Sequence, residues 1–258
     1  MPGKPVFVFV PGAWHSPSTW DKVISALEPL QYKSVPVALP STLSDPNATF
    51  FADLEAVRNA IITETTHGNN VVVVVHSYGG MVGSSAMKGL ARTATSNASS
   101  TNDASGHIIG LVMMASGFIP TGFSFIEASG GKPPPFWRAD SDSGFAVLTA
   151  DTRDLFYHDL PVEEGNYWVE RLQPHSLKSL MEGGEHAYAA WRDVPIWYLA
   201  TTDDHALPIE MQRAFVQMAK DEGADVTLRE VKSSHSPMLS RPKEAVDVLL
   251  EAVKYFEQ

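Results

Sequence analysis

Three residue types that together turn an alcohol into a nucleophile occur in three separate polar turns. Ser77 stands in Val71-Val72-Val73-Val74-Val75-His76-Ser77-Tyr78-Gly79-Gly80, Asp204 in Thr201-Thr202-Asp203-Asp204-His205, and His235 in Ser233-Ser234-His235-Ser236-Pro237. A hydroxyl is a weak nucleophile until a base takes its proton, and the base works best when a carboxylate orients it. In this reading Ser77 attacks a carbonyl, His235 is the base and Asp204 holds the histidine. Asp203 is the competing carboxylate, or a residue that caps or solvates the loop.

The elements around Ser77 suit that role. Five consecutive valines favour extended backbone, and an unbroken apolar run of this length fits a strand buried on both faces. Gly79 and Gly80 allow a tight reversal, so Ser77 is expected at the tip of a strand–turn–helix. The next backbone N–H then lies at a helix N-terminus, where it suits a developing oxyanion.

Other strands are expected at Pro5–Val10, Tyr32–Leu39, Ile108–Ala115, Pro195–Ala200 and Val226–Val231. Apolar spacing predicts helices over about 20–30, 50–66, 78–94, 208–222 and 242–256, the first capped by Ser18 or Thr19. Gly83, Ser84, Ser85 and Ala86 are small enough to let the helix after Ser77 lie close to the sheet. Strands alternating with helices predict an α/β fold with a mostly parallel sheet and right-handed crossovers. Asp204, His235 and Ser77 then all fall at carboxyl ends of strands, where open α/β sheets place their sites.

Residues 117–191 break the alternation and are too long for a connecting loop. Pro161, with Glu163 and Glu164 behind it, marks a helix start, and Leu172, Leu177 and Leu180 suggest further short helices. The expected organisation is a core of residues 1–116 and 192–258 with a helical lid at 117–191. The lid holds 12 of the 25 aromatic residues, more than packing alone requires. An apolar pocket beneath it is expected, with Phe118, Trp137, Phe156 and Trp168 among its walls. Trp14 and His15 are expected as pocket wall or loop anchors rather than proton carriers, and His205 as an exposed loop residue or pocket wall.

Composition narrows the class. The chain has 258 residues, 44% of them hydrophobic, and a formal net charge of −11, so one domain with a sizeable core is expected. The acidic balance argues against nucleic acid or an anionic membrane as partner. No cysteine is present, which excludes disulfides and thiol catalysis. The N-terminal residues lack a signal-peptide pattern, and the default expectation is a soluble cytoplasmic protein. Thr95–Gly106 reads as a flexible loop. The sequons at Asn47 and Asn97 carry little weight without a secretory signal.

At four loops the chain resembles the α/β-hydrolases of the small-esterase branch, which includes plant methyl-ester esterases and hydroxynitrile lyases. Phe9-Val10-Pro11-Gly12-Ala13-Trp14-His15 is similar to that branch's oxyanion loop, and His76-Ser77-Tyr78-Gly79-Gly80 to its nucleophile elbow. Asp204 with Pro208 and Gln212 matches its acid loop, and His235-Ser236-Pro237-Met238-Leu239-Ser240-Arg241-Pro242 resembles its histidine loop. The resemblance implies Ser77 as nucleophile, His235 as base, Asp204 as acid, and an oxyanion hole from the backbone N–H groups of Ala13 and Tyr78. No cofactor is expected, and the lid's aromatic content suggests a small hydrophobic ester or lactone as substrate.

Two departures stand out: Pro11 where the branch has histidine, and Val75 where its elbow has glycine. Ser236 in place of a lysine, and Gly12 in place of a threonine, disfavour cyanohydrin cleavage. A serine at 77 disfavours the relatives that use an aspartate nucleophile. Ala115-Ser116-Gly117 offers no carboxylate, so a common alternative acid position is empty. His76 is expected as a packed, hydrogen-bonded residue. His158, His175 and His186 show no ligand spacing, so no metal is expected. A lyase or C–C hydrolase on the same three residues, or a ligand receptor of the same fold, are the other function classes.

Overall fold

The five valines lie at the centre of the molecule. A computed structural model describes residues 3–91 and 106–258. Strand β3 (Val71–His76) is buried along its whole length and pairs with β1 (Val6–Val10) on one side and β4 (Ile108–Met114) on the other. Strands β2 (Ser34–Pro36), β7 (Ile196–Thr201) and β8 (Val226–Val231) complete a six-stranded sheet in the order β2-β1-β3-β4-β7-β8. Every pairing in it is parallel. Helices cover both faces, which explains why its inner strands read as continuous apolar runs rather than alternating ones.

Helices α1 (Asp21–Leu27), α2 (Phe50–Thr66), α3 (Gly79–Ala86), α8 (Ile209–Asp221) and α10 (Pro242–Phe256) accompany the sheet, with the single turn α9 (Pro237–Ser240) leading into α10. Helix α3 sits directly on it. A Cβ at Gly83 would lie 2.4 Å from Val75 Cγ1, so the small-residue face is a condition of this close approach.

Two N-terminal elements are shorter than expected. Pro17–Trp20 and Glu28–Leu30 are 3₁₀ turns flanking α1, because Pro29 has no N–H to continue an α-helix. Neither Ser18 nor Thr19 caps α1; the Thr19 hydroxyl donates to the Ser16 carbonyl instead. Strand β2 covers three residues of the expected eight. It is an edge strand ending at Pro36, which cannot donate to a ladder.

The segment between β4 and β7 holds the short helices α4 (Phe125–Ala128), α5 (Thr152–Tyr157), α6 (Val162–Val169) and α7 (Leu177–Met181). Pro161 and the two glutamates begin α6 as expected. The segment also contains an antiparallel hairpin, β5 (Trp137–Asp140) with β6 (Phe145–Leu148), which the sequence pattern did not suggest. Four-residue strands are too short to show a period of two. The helix expected to reach residue 94 ends at Ala86, followed by turns over 87–90 in which Gly89 takes φ +72°; residues 95–105 of the expected loop, with Asn97, lie outside the described residues. Among those described, no helix is long and apolar enough to cross a membrane.

Candidate active site

Ser77 follows β3 directly and adopts φ +50°. A left-handed backbone costs a non-glycine residue roughly 1–2 kcal/mol, so the surroundings must hold it. They do so from both sides. The Ser77 N–H donates to the Met114 carbonyl at 3.2 Å, as if β3 and β4 continued one residue further. The Ser77 carbonyl accepts from the Ser116 hydroxyl at 2.7 Å and from the Gly80 N–H at 2.9 Å. The turn then enters α3, with Tyr78 at its N-terminus.

Asp204 leaves β7 and is almost fully buried. Its Oδ1 accepts the N–H groups of Ala206 and Leu207, both at 2.8 Å. Its Oδ2 accepts the Thr201 hydroxyl at 2.7 Å, the Gln212 amide at 3.2 Å and the His235 ring at 2.8 Å. Burial pushes the carboxyl pKa up, but the positive charge available on His235 and these hydrogen bonds outweigh it and hold the acid below its ordinary value. The group is therefore an anion that only accepts. His235 must carry a proton on Nδ1, which leaves Nε2 of the neutral ring as a base. Asp203 instead is half exposed, with an oxygen 3.5 Å from His158.

His76 secures the histidine loop from below. Its Nε2 lies 2.8 Å from the His235 carbonyl, so Nε2–H is the donor. Burial, then the neighbouring His235 and His15, keep its pKa well down and the ring neutral. Phe156 packs beside the His235 ring, with centroids 5.7 Å apart.

The loop after β1 is fixed with equal thoroughness. His15 Nδ1 donates to the Ala13 carbonyl at 2.6 Å and its Nε2 takes the Tyr157 hydroxyl at 2.7 Å. Trp14 also has a left-handed backbone, φ +61°. Its indole N–H donates to Ala146 on β6 and its carbonyl accepts from Gln173. Its own N–H donates to His175 Nδ1 at 3.3 Å. His175 Nε2–H in turn reaches the Ser179 hydroxyl at 2.9 Å. Burial lowers the pKa of His15 to about 4 and that of His175 to about 3, so both stay neutral. Among the described residues, no hydrogen bond engages the backbone N–H of Ala13 or of Tyr78. On the far side of Tyr78, its hydroxyl donates to buried Asp53 at 2.9 Å.

Ser77, His235, Ala13 and Tyr78 line one cavity of about 670 Å³. Among the described residues Ser77 Oγ makes no hydrogen bond to a protein group, a looseness common in ligand-free sites. The walls include the expected Trp14, His15, Trp137, Phe156 and His205. Phe118 and Trp168 are corrections, because both are buried elsewhere. Phe118 stacks on Tyr198 and meets the edge of Trp191, and Trp168 packs edge-on against Tyr167. Phe125, Phe136, Phe215, Met81 and Met211 form wall not foreseen from sequence. The Phe125 and Phe136 positions lay within the aromatic-rich stretch; nothing in the helical spacing of α8 singled out Met211 or Phe215.

Comparison with known proteins identifies the fold and the family. The model of the alpha/beta hydrolase family matches residues 7–248. "Alpha/beta hydrolase nvfD" of Aspergillus novofumigatus (strain IBT 16806) is 31% identical over 252 residues, covering 96% of each chain. "Probable hydrolase R7" of Phoma sp. (strain ATCC 20986 / MF5453) is 27% identical over 260 residues, 96% of this chain and 98% of that one. Among solved structures, polyneuridine aldehyde esterase superposes with a TM-score of 0.75 at 22% identity, covering 97% of this chain and 99% of its own. The parallel sheet, the elbow after β3 and the match over nearly the whole length lead to one statement: the chain belongs to the alpha/beta hydrolase family.

Proposed function

We propose that the protein is a serine hydrolase that cleaves a carboxylic ester or lactone of a small hydrophobic molecule through an acyl-enzyme. The observation that carries this reading is the shared cavity, where Ser77 on its strained turn faces the same space as a histidine hydrogen-bonded to a buried aspartate. Ser77 Oγ attacks the carbonyl carbon while His235 Nε2 takes its proton. The oxyanion forms against the Ala13 and Tyr78 N–H groups, and each such donor is worth about 10²–10³-fold in rate. His235 passes the proton to the leaving alcohol. Water, deprotonated by the same ring, then releases the acid and restores Ser77. Asp204 stays ionised throughout and stabilises the imidazolium.

In this reading residues 117–191 act as a lid. The hairpin, α4 and α5 supply apolar wall over the nucleophile, which favours an acyl or alcohol part that is hydrophobic and of moderate bulk. A screen of aryl, alkyl and cyclic esters and of lactones, read by product mass spectrometry, tests the reading. Release of acid and alcohol in equal amounts is the expected result. Rapid fluorophosphonate labelling with no turnover of any ester or lactone would point to a receptor, and products of C–C or C–O elimination to a lyase.

A further inference from the structure

His158, at the C-terminus of α5, has one nitrogen engaged and one orphaned. Its Nδ1 lies 3.0 Å from the Asp154 carbonyl oxygen. A carbonyl only accepts, so Nδ1 carries the hydrogen and Nε2 of the neutral ring carries a lone pair. That Nε2 is buried and without a hydrogen-bond partner. An oxygen of Asp203 faces it at 3.5 Å. Two acceptors turned toward each other in this way can be bridged by a proton or by a metal ion.

His205 completes the cluster. Its ring stacks on that of His158, with centroids 4.0 Å apart, and its Nδ1 lies 3.2 Å from a carboxylate oxygen of Asp154. The carboxylate takes that N–H and leaves Nε2 of His205 as a lone-pair donor. One nitrogen or oxygen from each of His158, Asp203 and His205 lies within 4.8 Å of the others. Metal–nitrogen and metal–oxygen bonds of about 2.0–2.2 Å need ligand separations near 3.4 Å. The His205 side chain is 43% exposed, which leaves its ring room to adjust toward a shared ion.

We propose that His158, Asp203 and His205 form a binding site for a divalent transition-metal ion at the rim of the cavity, with Asp154 as the outer partner of both histidines. Ligating histidines commonly give their second N–H to a backbone carbonyl or a carboxylate, and Asp154 offers one of each. Two imidazoles and one carboxylate suit zinc and its neighbours rather than magnesium or calcium, which prefer oxygen. The net charge of −11 favours a cation throughout. The ligands come from two separate segments of the chain. His158 lies in the segment between β4 and β7, Asp203 immediately precedes Asp204, and His205 is itself wall. A bound ion therefore ties α5 to the acid loop. Sequence spacing hid the site because His158 lies some 45 residues before Asp203 and His205.

Titration of the EDTA-treated full chain with zinc chloride, by calorimetry and by thermal unfolding, tests the proposal. One zinc ion per chain and a raised Tm are expected for the wild type, with no response to magnesium or calcium. His158→Ala and Asp203→Asn should each weaken zinc binding at least tenfold and abolish the Tm shift, while their circular dichroism stays that of the wild type. Cobalt added to the wild type alone should give visible absorption bands of a low-symmetry site with nitrogen ligands, which covers the case of a variant that fails to fold. Absence of zinc binding, or equal binding by wild type and both variants, would overturn the assignment.

Discussion

The Ser116 hydroxyl donates a 2.7 Å hydrogen bond to the Ser77 carbonyl and occupies the space where a side chain at position 80 would begin. A Cβ on Gly80 would lie 1.9 Å from Ser116 Oγ. The brace that holds Ser77 in its left-handed turn is therefore also what requires glycine three residues on.

Gly80→Ala should destabilise the fold by about 1–3 kcal/mol through overpacking, and Ser116→Ala by about 1 kcal/mol through the lost hydrogen bond. The double variant should cost less than the two together, because removing Oγ frees the space the new methyl needs. Urea denaturation of the four proteins measures this. Strict additivity would contradict the shared-space relation.

Asp204→Asn leaves the size of the side chain but removes the anion that fixes a proton on His235 Nδ1. The ring can then present N–H to the serine. A fall in kcat on the order of 10⁴-fold is expected, as for the corresponding change in other serine enzymes, with KM little altered. Asp203→Asn, assayed in EDTA, should leave ester hydrolysis near the wild-type rate. Equal losses in the two variants would contradict the assignment of Asp204.

His175→Phe keeps an aromatic ring against Tyr78 but leaves the Trp14 N–H without its acceptor. A buried donor left unpaired costs about 1–3 kcal/mol. Loosening of the Ala13–Trp14 turn should lower kcat by roughly tenfold or more, since misplacing one oxyanion donor forfeits part of its contribution. KM for a small ester should change little, and affinity for a boronic-acid transition-state mimic should fall by the same factor as kcat. A Tm loss with kcat unchanged would make His175 a packing residue only.

The buried titratable groups give the fold a pH dependence of known sign. Burial holds His15 near pKa 4 and His175 near 3, below the ordinary histidine value of 6.5. Between those values the unfolded chain binds more protons, so stability is full above about pH 6.5 and falls as the pH drops. Asp53 acts in the opposite sense. Burial pushes its pKa from 3.8 to about 6, so its contribution is greatest below pH 4 and is lost as the pH rises through 6. Relative to Asp53→Asn, the wild type should lose on the order of 2–3 kcal/mol between pH 4 and pH 7. Denaturant unfolding of both proteins at the two pH values checks it; a difference of the opposite sign would show that Asp53 is held as a stabilised anion.

Much of this architecture is legible in the sequence because it rests on local signals. The valine run, the elbow glycines and the small face around Gly83 each describe their own surroundings, and the structure has β3 and α3 in those relations. Helices α2, α8 and α10 follow from their apolar spacing to within a residue or two. What is not legible depends on where a side chain points across the chain. Aromatic content marked residues 117–191 as pocket-forming but did not separate Phe136, which faces the cavity, from Phe118, which packs on Tyr198. The partners of His76 and His15, and the whole role of His175 in fixing a loop, are equally illegible, since each partner lies on the far side of a turn or in another segment. Pro29 and Pro36 show the reverse case, where one ring closure overrides a longer apolar pattern.

Rapid-quench mass spectrometry during turnover of an activated aryl ester tests the central claim most directly. The expected result is a transient mass increase equal to the acyl group, located on the peptide containing Ser77, with Ser77→Ala folded, unacylated and slowed by several orders of magnitude. Acyl transfer to another residue, or hydrolysis by Ser77→Ala at the wild-type rate, would contradict the account.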